Sequence, residues 1–186
     1  MEQKETSEAT PTLLSHALRW GAMLGIISIA LTIIWYVVDY TLMADWKVGI
    51  FSLVIYIAFT AYAGINYRGE IGGYISFGKA FQHGFLVFAI SGLLATFFTL
   101  LLYTVIDPEL PAKLTEATLE KTAEMMEGFG APQDAIDKAM DDARERSESQ
   151  YSVTGSFTGY GFMLIMSAIF SLITGLVVRK NEPMEM

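Results

Sequence analysis

Cysteine is absent from the 186 residues, so the chain holds neither a disulfide nor a thiolate site, and its redox compartment cannot be read. Histidine occurs only twice, as His16 and His83. A zinc site draws three or four ligands in close array, and two separated histidines do not supply one. Basic residues are the minority, 12 against 20 acidic, giving a net charge of −8. That balance argues against nucleic acid and against electrostatic attraction to anionic lipid. No Ser–His–acid order, phosphate-binding loop or dinucleotide fingerprint is present. No EF-hand loop occurs either. No catalytic residue, cofactor or metal is expected, and the chain reads as a non-enzyme.

Charge is also missing from four long apolar runs, and that absence is the main positive signal. The runs cover about residues 18–38, 48–65, 85–106 and 161–178, with Arg19 and Asp39 at the ends of the first. Crossing a hydrocarbon core ~30 Å thick takes roughly 20 helical residues. Four such runs in one short chain predict an all-α, four-span membrane bundle, a single domain over residues 1–186. Aromatic rings gather at the run ends. Trp20 opens the first, Trp35, Tyr36 and Tyr40 close it, and Trp46, Tyr67, Tyr103 and Tyr160 flank the others. Amphipathic rings favour the headgroup zone, which supports these boundaries.

Residues 1–17 carry Glu2, Glu5 and Glu8 against Lys4, which does not fit the basic start of a secretory signal. The first run is expected to stay as a signal anchor. An even number of spans puts both termini and the second inter-span loop on one side. That side holds Lys4, Arg19, Arg68, Lys79, Arg179 and Lys180, whereas the first loop holds Lys47 alone. The positive-inside rule makes it cytoplasmic, and the spans are expected in an inner membrane.

Residues 107–152 form the one long polar segment, with twelve acidic and five basic residues. They read as an extracytoplasmic helical hairpin between spans three and four. Asp107 before Pro108 suits a helix start, and Pro111 is tolerated in a first turn. Leu110, Leu114, Ala117, Thr118 and Met125 fall near one face; Ile136, Met140 and Ala143 share a face of the second helix. Gly128-Phe129-Gly130-Ala131-Pro132 breaks the two apart. Glu109–Lys113, Asp134–Lys138 and Asp142–Arg146 have the favourable i,i+4 order. Acidic stripes at Glu116, Glu120 and Glu124 and at Asp134, Asp137 and Asp141 read as solvated faces rather than cation sites.

Small residues recur at helical spacing. Gly21 and Gly25, then Ser91, Ala95 and Thr99, then Ser167, Ser171 and Gly175 each lie on one helix face. Such stripes let helices approach closely in lipid. They serve packing inside the bundle or contact with a second copy or a membrane partner. Gly155-x-x-x-Gly159 reads as flexibility ahead of span four. Met163 and Met166 fall in an apolar run and read as lipid-facing or packed, not as copper ligands.

Between spans two and three runs Gly72-Gly73-Tyr74-Ile75-Ser76-Phe77-Gly78-Lys79-Ala80-Phe81. The glycine pair permits a tight turn. Ser76 is placed to N-cap a long third helix. Phe77, Ala80 and Phe81 continue an apolar face, while Lys79, Gln82 and His83 are expected at the interface. This run, with Tyr103-x-x-Ile106-Asp107-Pro108, resembles the domain of unknown function 4199 family, small multi-span membrane proteins found mainly in Gram-negative Bacteroidota. The likeness extends from about Leu14 to Arg179. It implies topology and membrane location and assigns no role to Gly72, Gly73, Ser76, Phe77, Gly78 or Phe81.

Transporters and proton relays carry ionisable groups inside the membrane, and none lies centrally in these runs. Asp39, Asp45 and Asp107 sit at run ends, where ordinary helix-end placement accounts for them. The sequence favours a non-enzymatic accessory or scaffold subunit, with the lipid bilayer and a second copy or membrane protein as partners. A small transporter or channel component is the alternative. A lipid-acting enzyme would have to use Lys79, His83 and Glu70.

Overall fold

The computed structural model describes residues 10–182, so the N-terminal stretch with Lys4 lies outside it. Helix α1 spans Leu13–Asp39 and continues as a 3-10 turn over Tyr40–Ala44. Helix α2 spans Trp46–Glu70 and α3 spans Phe77–Leu101, extended by a π turn over Leu102–Ile106. Helices α4 (Leu110–Gly128) and α5 (Gln133–Gln150) make the polar insertion, and α6 is Val153–Val178. The four apolar runs thus become α1, α2, α3 and α6, each long and apolar enough to cross a membrane. At ~1.5 Å per residue, a 25-residue helix reaches ~38 Å, beyond a ~30 Å core. The helices therefore overrun the apolar stretches: α3 begins at Phe77 and α6 at Val153.

The outer surface of these helices is apolar. Val37 and Val38 are each 72% exposed and Phe162 is 65% exposed. A water-soluble chain of this size does not keep so wide an apolar belt, and the belt faces where lipid would lie.

Capping fixes the helix ends. The Thr12 hydroxyl accepts from Ser15 N–H, and the Asp45 carboxylate accepts from Lys47 N–H at 2.9 Å. Asp39 does the same for Thr41 N–H at 2.9 Å. Gly72 and Gly73 have φ of +98° and +87°, which only glycine adopts without strain. Ser76 stands at the N-cap of α3, but its hydroxyl makes no capping bond there. The turn is instead held from across the bundle: Ile75 and Lys180 exchange two main-chain hydrogen bonds of 2.9 and 3.0 Å. Arg68 also donates to the carbonyl of Val178 at 2.8 Å.

Small residues set the helix contacts. A β-carbon on Gly21 would lie 2.8 Å from Ile90 Cβ, and one on Gly25 would lie 2.7 Å from Leu94 Cδ1. Both glycines bring α1 onto α3. Gly84 on α3 faces Thr174 and Ser171 of α6, and Gly175 faces the Phe77 ring. Helix α3 has its largest contacts with α1 and α6. Ser167 and Ser171 are buried, whereas Ala95 and Thr99 line an open space described below.

The insertion packs at the end of the bundle opposite the glycine turn. Leu110 and Leu114 join Leu102 in a buried cluster flanked by Tyr36, Met43 and Tyr151. Helix α4 begins at Leu110, later than the Asp107-Pro108 pair suggests, because Asp107 uses its carboxylate to accept from Glu109 N–H at 3.2 Å. Met125 does not share the buried face: it is 51% exposed, since the stripe leaves the bundle surface before that turn. Of the three i,i+4 pairs, Glu109–Lys113 closes, at 3.4 Å. The other two stay apart on exposed faces. Both acidic stripes are exposed. Gly155 is not a flexible spacer. It lies inside α6, and a β-carbon there would collide with the carbonyl oxygens of Ser149 and Gln150.

Two ionic contacts fasten the insertion. Lys121 places its ammonium 2.9 Å from Asp45, and Lys113 lies 3.3 Å from Asp107. The Lys121 hydrogen bond, then the Lys47 N–H, hold the Asp45 carboxyl below its usual range. Partial burial pushes Asp107 up, but Lys113, the Tyr36 hydroxyl and Glu109 N–H outweigh it and hold Asp107 low. Burial pulls Lys113 down, and the Asp107 and Glu109 carboxylates more than reverse that.

Candidate functional site

His83 does not face outward: it packs inside the bundle. It is fully buried, and so is His16, at 0% and 1% exposure. The reason is helical phase. His83 falls on the α3 face with Gly84, Val87 and Ser91; His16 falls on the α1 face with Trp20 and Leu24. Those two faces meet. His16 Nδ1 and His83 Nε2 are 2.8 Å apart. The pair lies within two helices that are apolar enough to span a bilayer.

Aromatic rings enclose the pair. Tyr67 stacks on His83 at 5.1 Å with planes 5° apart, and Trp20 stacks on His16 at 5.7 Å. His16 Nε2 meets Asn66 Oδ1 at 3.1 Å and lies 3.8 Å from Glu70 Oε1. Glu70, about one-third exposed, is also 3.5 Å from Arg19. A polar chain therefore runs from the surface carboxylate at Glu70 through His16 to His83.

With the Asn66 amide oxygen turned to His16, donor accounting assigns the protons. An amide oxygen only accepts, so His16 Nε2 carries hydrogen toward Asn66. With both rings neutral, His16 Nδ1 is then the bare nitrogen and accepts from His83 Nε2–H. His83 Nδ1 is left as a buried lone pair, and no protein group within the described residues bonds to it. A proton arriving at that nitrogen makes His83 a cation. His83 can then pass its Nε2 proton to His16, and His16 can release one toward Glu70. The geometry suits proton relay, and it keeps one of the rings neutral at a time, because two N–H groups cannot face each other across 2.8 Å.

Next to His83, Gly84 is surrounded by Thr60, Ser171 and Thr174. The Thr60 and Ser171 hydroxyls are buried and have no partner within the described residues. Beyond them, Ser91 and Ser167 border a cavity of about 340 Å³. The cavity extends toward the insertion, reaching Tyr103, Gln150 and Tyr151. A cleft between α5 and α6, with Asp142, Glu145 and Arg146 on its rim, shares Gln150, Gly155 and Gly159 with it.

The family model described as a protein of unknown function (DUF4199) matches residues 19–180. The chain belongs to the DUF4199 family. No curated protein and no solved structure matches the chain. In this DUF4199 chain the family-like turn serves the bundle: Gly72 and Gly73 make the bend, Phe77 packs on Gly175, and Ile75 bridges to Lys180. Gly78 is open to its surroundings, and Phe81 stacks on Phe85 at 6.3 Å. Lys79 is exposed and is not brought to His83, so the trio of Lys79, His83 and Glu70 does not assemble at the surface. Asn66 is the site residue that sequence reasoning missed. The signal that could have found the pair is the i,i+4 series His16, Trp20, Leu24 with the matching series His83, Val87, Ser91.

Proposed function

We propose that the protein is a small proton-linked membrane transporter, with the His16–His83 pair as its proton site. The observation that carries this reading is the buried 2.8 Å contact between two ionisable rings, near the ends of two helices long and apolar enough to cross a membrane. Ionisable groups are costly inside a membrane bundle and are kept there mainly for ion or proton movement. The buried hydroxyls of Thr60 and Ser171 and the cavity beyond them extend the polar line through the bundle. The small-residue stripes, which suited a scaffold, are largely occupied within the chain. The basic residues near the histidine end favour its placement on the cytoplasmic side of a bacterial inner membrane, with the insertion outside.

The test is reconstitution into vesicles made from lipids of the native membrane, so that membrane-borne substrates are present. An imposed pH gradient should collapse faster than in protein-free vesicles. His83→Gln should slow that collapse at least tenfold, while Asp142→Asn should not. Equal rates in wild type and His83→Gln would sink the reading. Labelling of Ser149→Cys in intact cells by a reagent that does not cross the membrane checks orientation; labelling only after lysis reverses it.

A second reading, an accessory scaffold subunit, is favoured by the tip of the insertion. Phe129 is 83% exposed there, beside Met125. Replacing residues 110–150 with a short linker should then remove a co-purifying membrane protein. Unchanged co-purification would exclude the insertion as its contact.

A further inference from the structure

The cavity between the membrane helices has a chemistry of its own. Its volume of about 340 Å³ falls at the lower end of the ~300–1,000 Å³ usual for small-molecule sites. Among the described residues, no charged side chain lines it. Leu53, Phe88, Met163 and Phe170 give it apolar walls. Hydroxyl groups stud those walls, and their hydrogen bonds divide them into two sets.

The first set is already committed. Ser28, Ser91 and Ser167 donate to carbonyls one turn earlier in their own helices. Tyr160 donates to the carbonyl of Ala89 at 3.1 Å. The second set is free to donate. Tyr56, Thr96, Thr99 and Tyr103 also line the cavity, and their hydroxyls make no hydrogen bond to the described residues. A fitting ligand therefore brings acceptor oxygens, an apolar body and no charge. An anionic headgroup would find no countercharge, and burying it unpaired is costly.

Access points to the same class. Helices α2 and α6 touch where Gly64 meets Val178. Nearer the insertion, Leu53 and Tyr56 of α2 and Met163 and Met166 of α6 border the cavity instead. Exposed apolar side chains, Val54 on α2 and Ile165 on α6, flank that stretch. We propose that the cavity binds an uncharged single-chain lipid with ester oxygens at one end, of the monoacylglycerol class. The lipid enters sideways between α2 and α6, with its ester oxygens toward Thr99 and Tyr103. This names the substrate class for the proton-linked transporter and rests on that reading for transport, but binding itself needs no proton movement.

The experiment uses the full chain in detergent micelles with a photoreactive monoacylglycerol. Labelling should concentrate on peptides carrying Thr96–Tyr103 and Met163–Phe170. Unlabelled monoacylglycerol should compete, and a lysophospholipid of the same chain length should compete at least tenfold less well. Ala95→Phe, which fills the cavity, should cut labelling about tenfold, and so should the double change Thr96→Val with Thr99→Val, which keeps the shape and removes two donors. Labelling spread evenly over the lipid-facing belt would overturn the proposal. So would equal competition by the charged lipid, or undiminished labelling in both variants. If His83→Gln stops proton movement yet leaves labelling intact, both readings stand; if labelling fails while proton movement persists, the lipid assignment alone falls.

Discussion

Gly64 on α2 meets Val178 on α6 so closely that a β-carbon on Gly64 would lie 2.7 Å from Val178 Cγ2. The contact is one place where α2 and α6 are held together, and it lies apart from the cavity, whose lining includes Leu53 and Tyr56 of α2. Gly64→Leu would force a branched side chain into that space. Overpacking of this kind costs about 1–3 kcal/mol. Thermal unfolding in detergent should show a clear drop in midpoint. Gly49→Ala, at a position with open surroundings, should leave the midpoint close to wild type. Equal midpoints for the two variants would mean that the helices are not held at Gly64.

The histidine pair should behave as one unit. His83→Leu leaves His16 Nδ1 buried without its donor, and His16→Leu orphans both His83 and Asn66. An unsatisfied buried polar group costs about 1–3 kcal/mol. The double change removes both partners and should cost less than the two singles added, with a coupling of about 0.5–3 kcal/mol. A double-variant cycle of unfolding free energies measures it. Simple additivity would show that the rings do not share a hydrogen bond.

Docking of the insertion should depend on pH in two windows. Asp45 and Asp107 are held below their ordinary range by lysines. A carboxyl lowered by folding contributes stability above its unfolded value, about 3.9, and loses that contribution as pH falls through the folded value. Lys113 is raised, so its contribution is present below about 10.4 and is lost as pH rises through its folded value. Hydrogen exchange in α4 and α5 should therefore stay slow between these limits and quicken beyond each. Lys121→Met should quicken exchange across α4 at neutral pH. Flat exchange in acid would remove these ion pairs as the fastening.

Gly155→Ala should be severe for so small a change. The added methyl group meets two main-chain oxygens, from Ser149 and Gln150, which cannot rotate away as a flexible side chain would. The junction of α5 and α6 must open, and limited proteolysis should cut near residue 151 in this variant and not in wild type. Gly159→Ala, where a β-carbon has open space, should resist cleavage as wild type does. Protection of Gly155→Ala would show that the junction has room to spare.

The four long apolar helices were legible in the sequence because crossing a bilayer needs only length and the absence of charge. The glycine turn at Gly72 and Gly73 was legible for a similar reason, since few other residues take that backbone shape. The histidine site was not. His16 and His83 lie outside the central apolar runs, and counting charge within fixed windows assigns them to the interface. Their burial depends on which faces of α1 and α3 meet, a choice made by Gly21, Gly25 and their partners Ile90 and Leu94. The cavity was invisible for the same reason. Ser91, Ala95 and Thr99 read as one close-packing stripe, yet the helices meet tightly at Gly84 and stand apart around Ala95 and Thr99.

The bridge between Ile75 and Lys180 also bears on how the molecule is made. A ribosome delivers α1, α2 and α3 well before α6. Until the last helix arrives, Ile75 lacks its main-chain partner, and Gly84 has no Thr174 or Ser171 beside it. The first three helices are an unfinished assembly with a polar seam open to lipid. Arrival of the final segment shuts that seam at both ends, by the bridge at one and the Gly155 junction at the other. A chain cut short before Val178 would lack the bridge and leave Gly84 without its α6 neighbours.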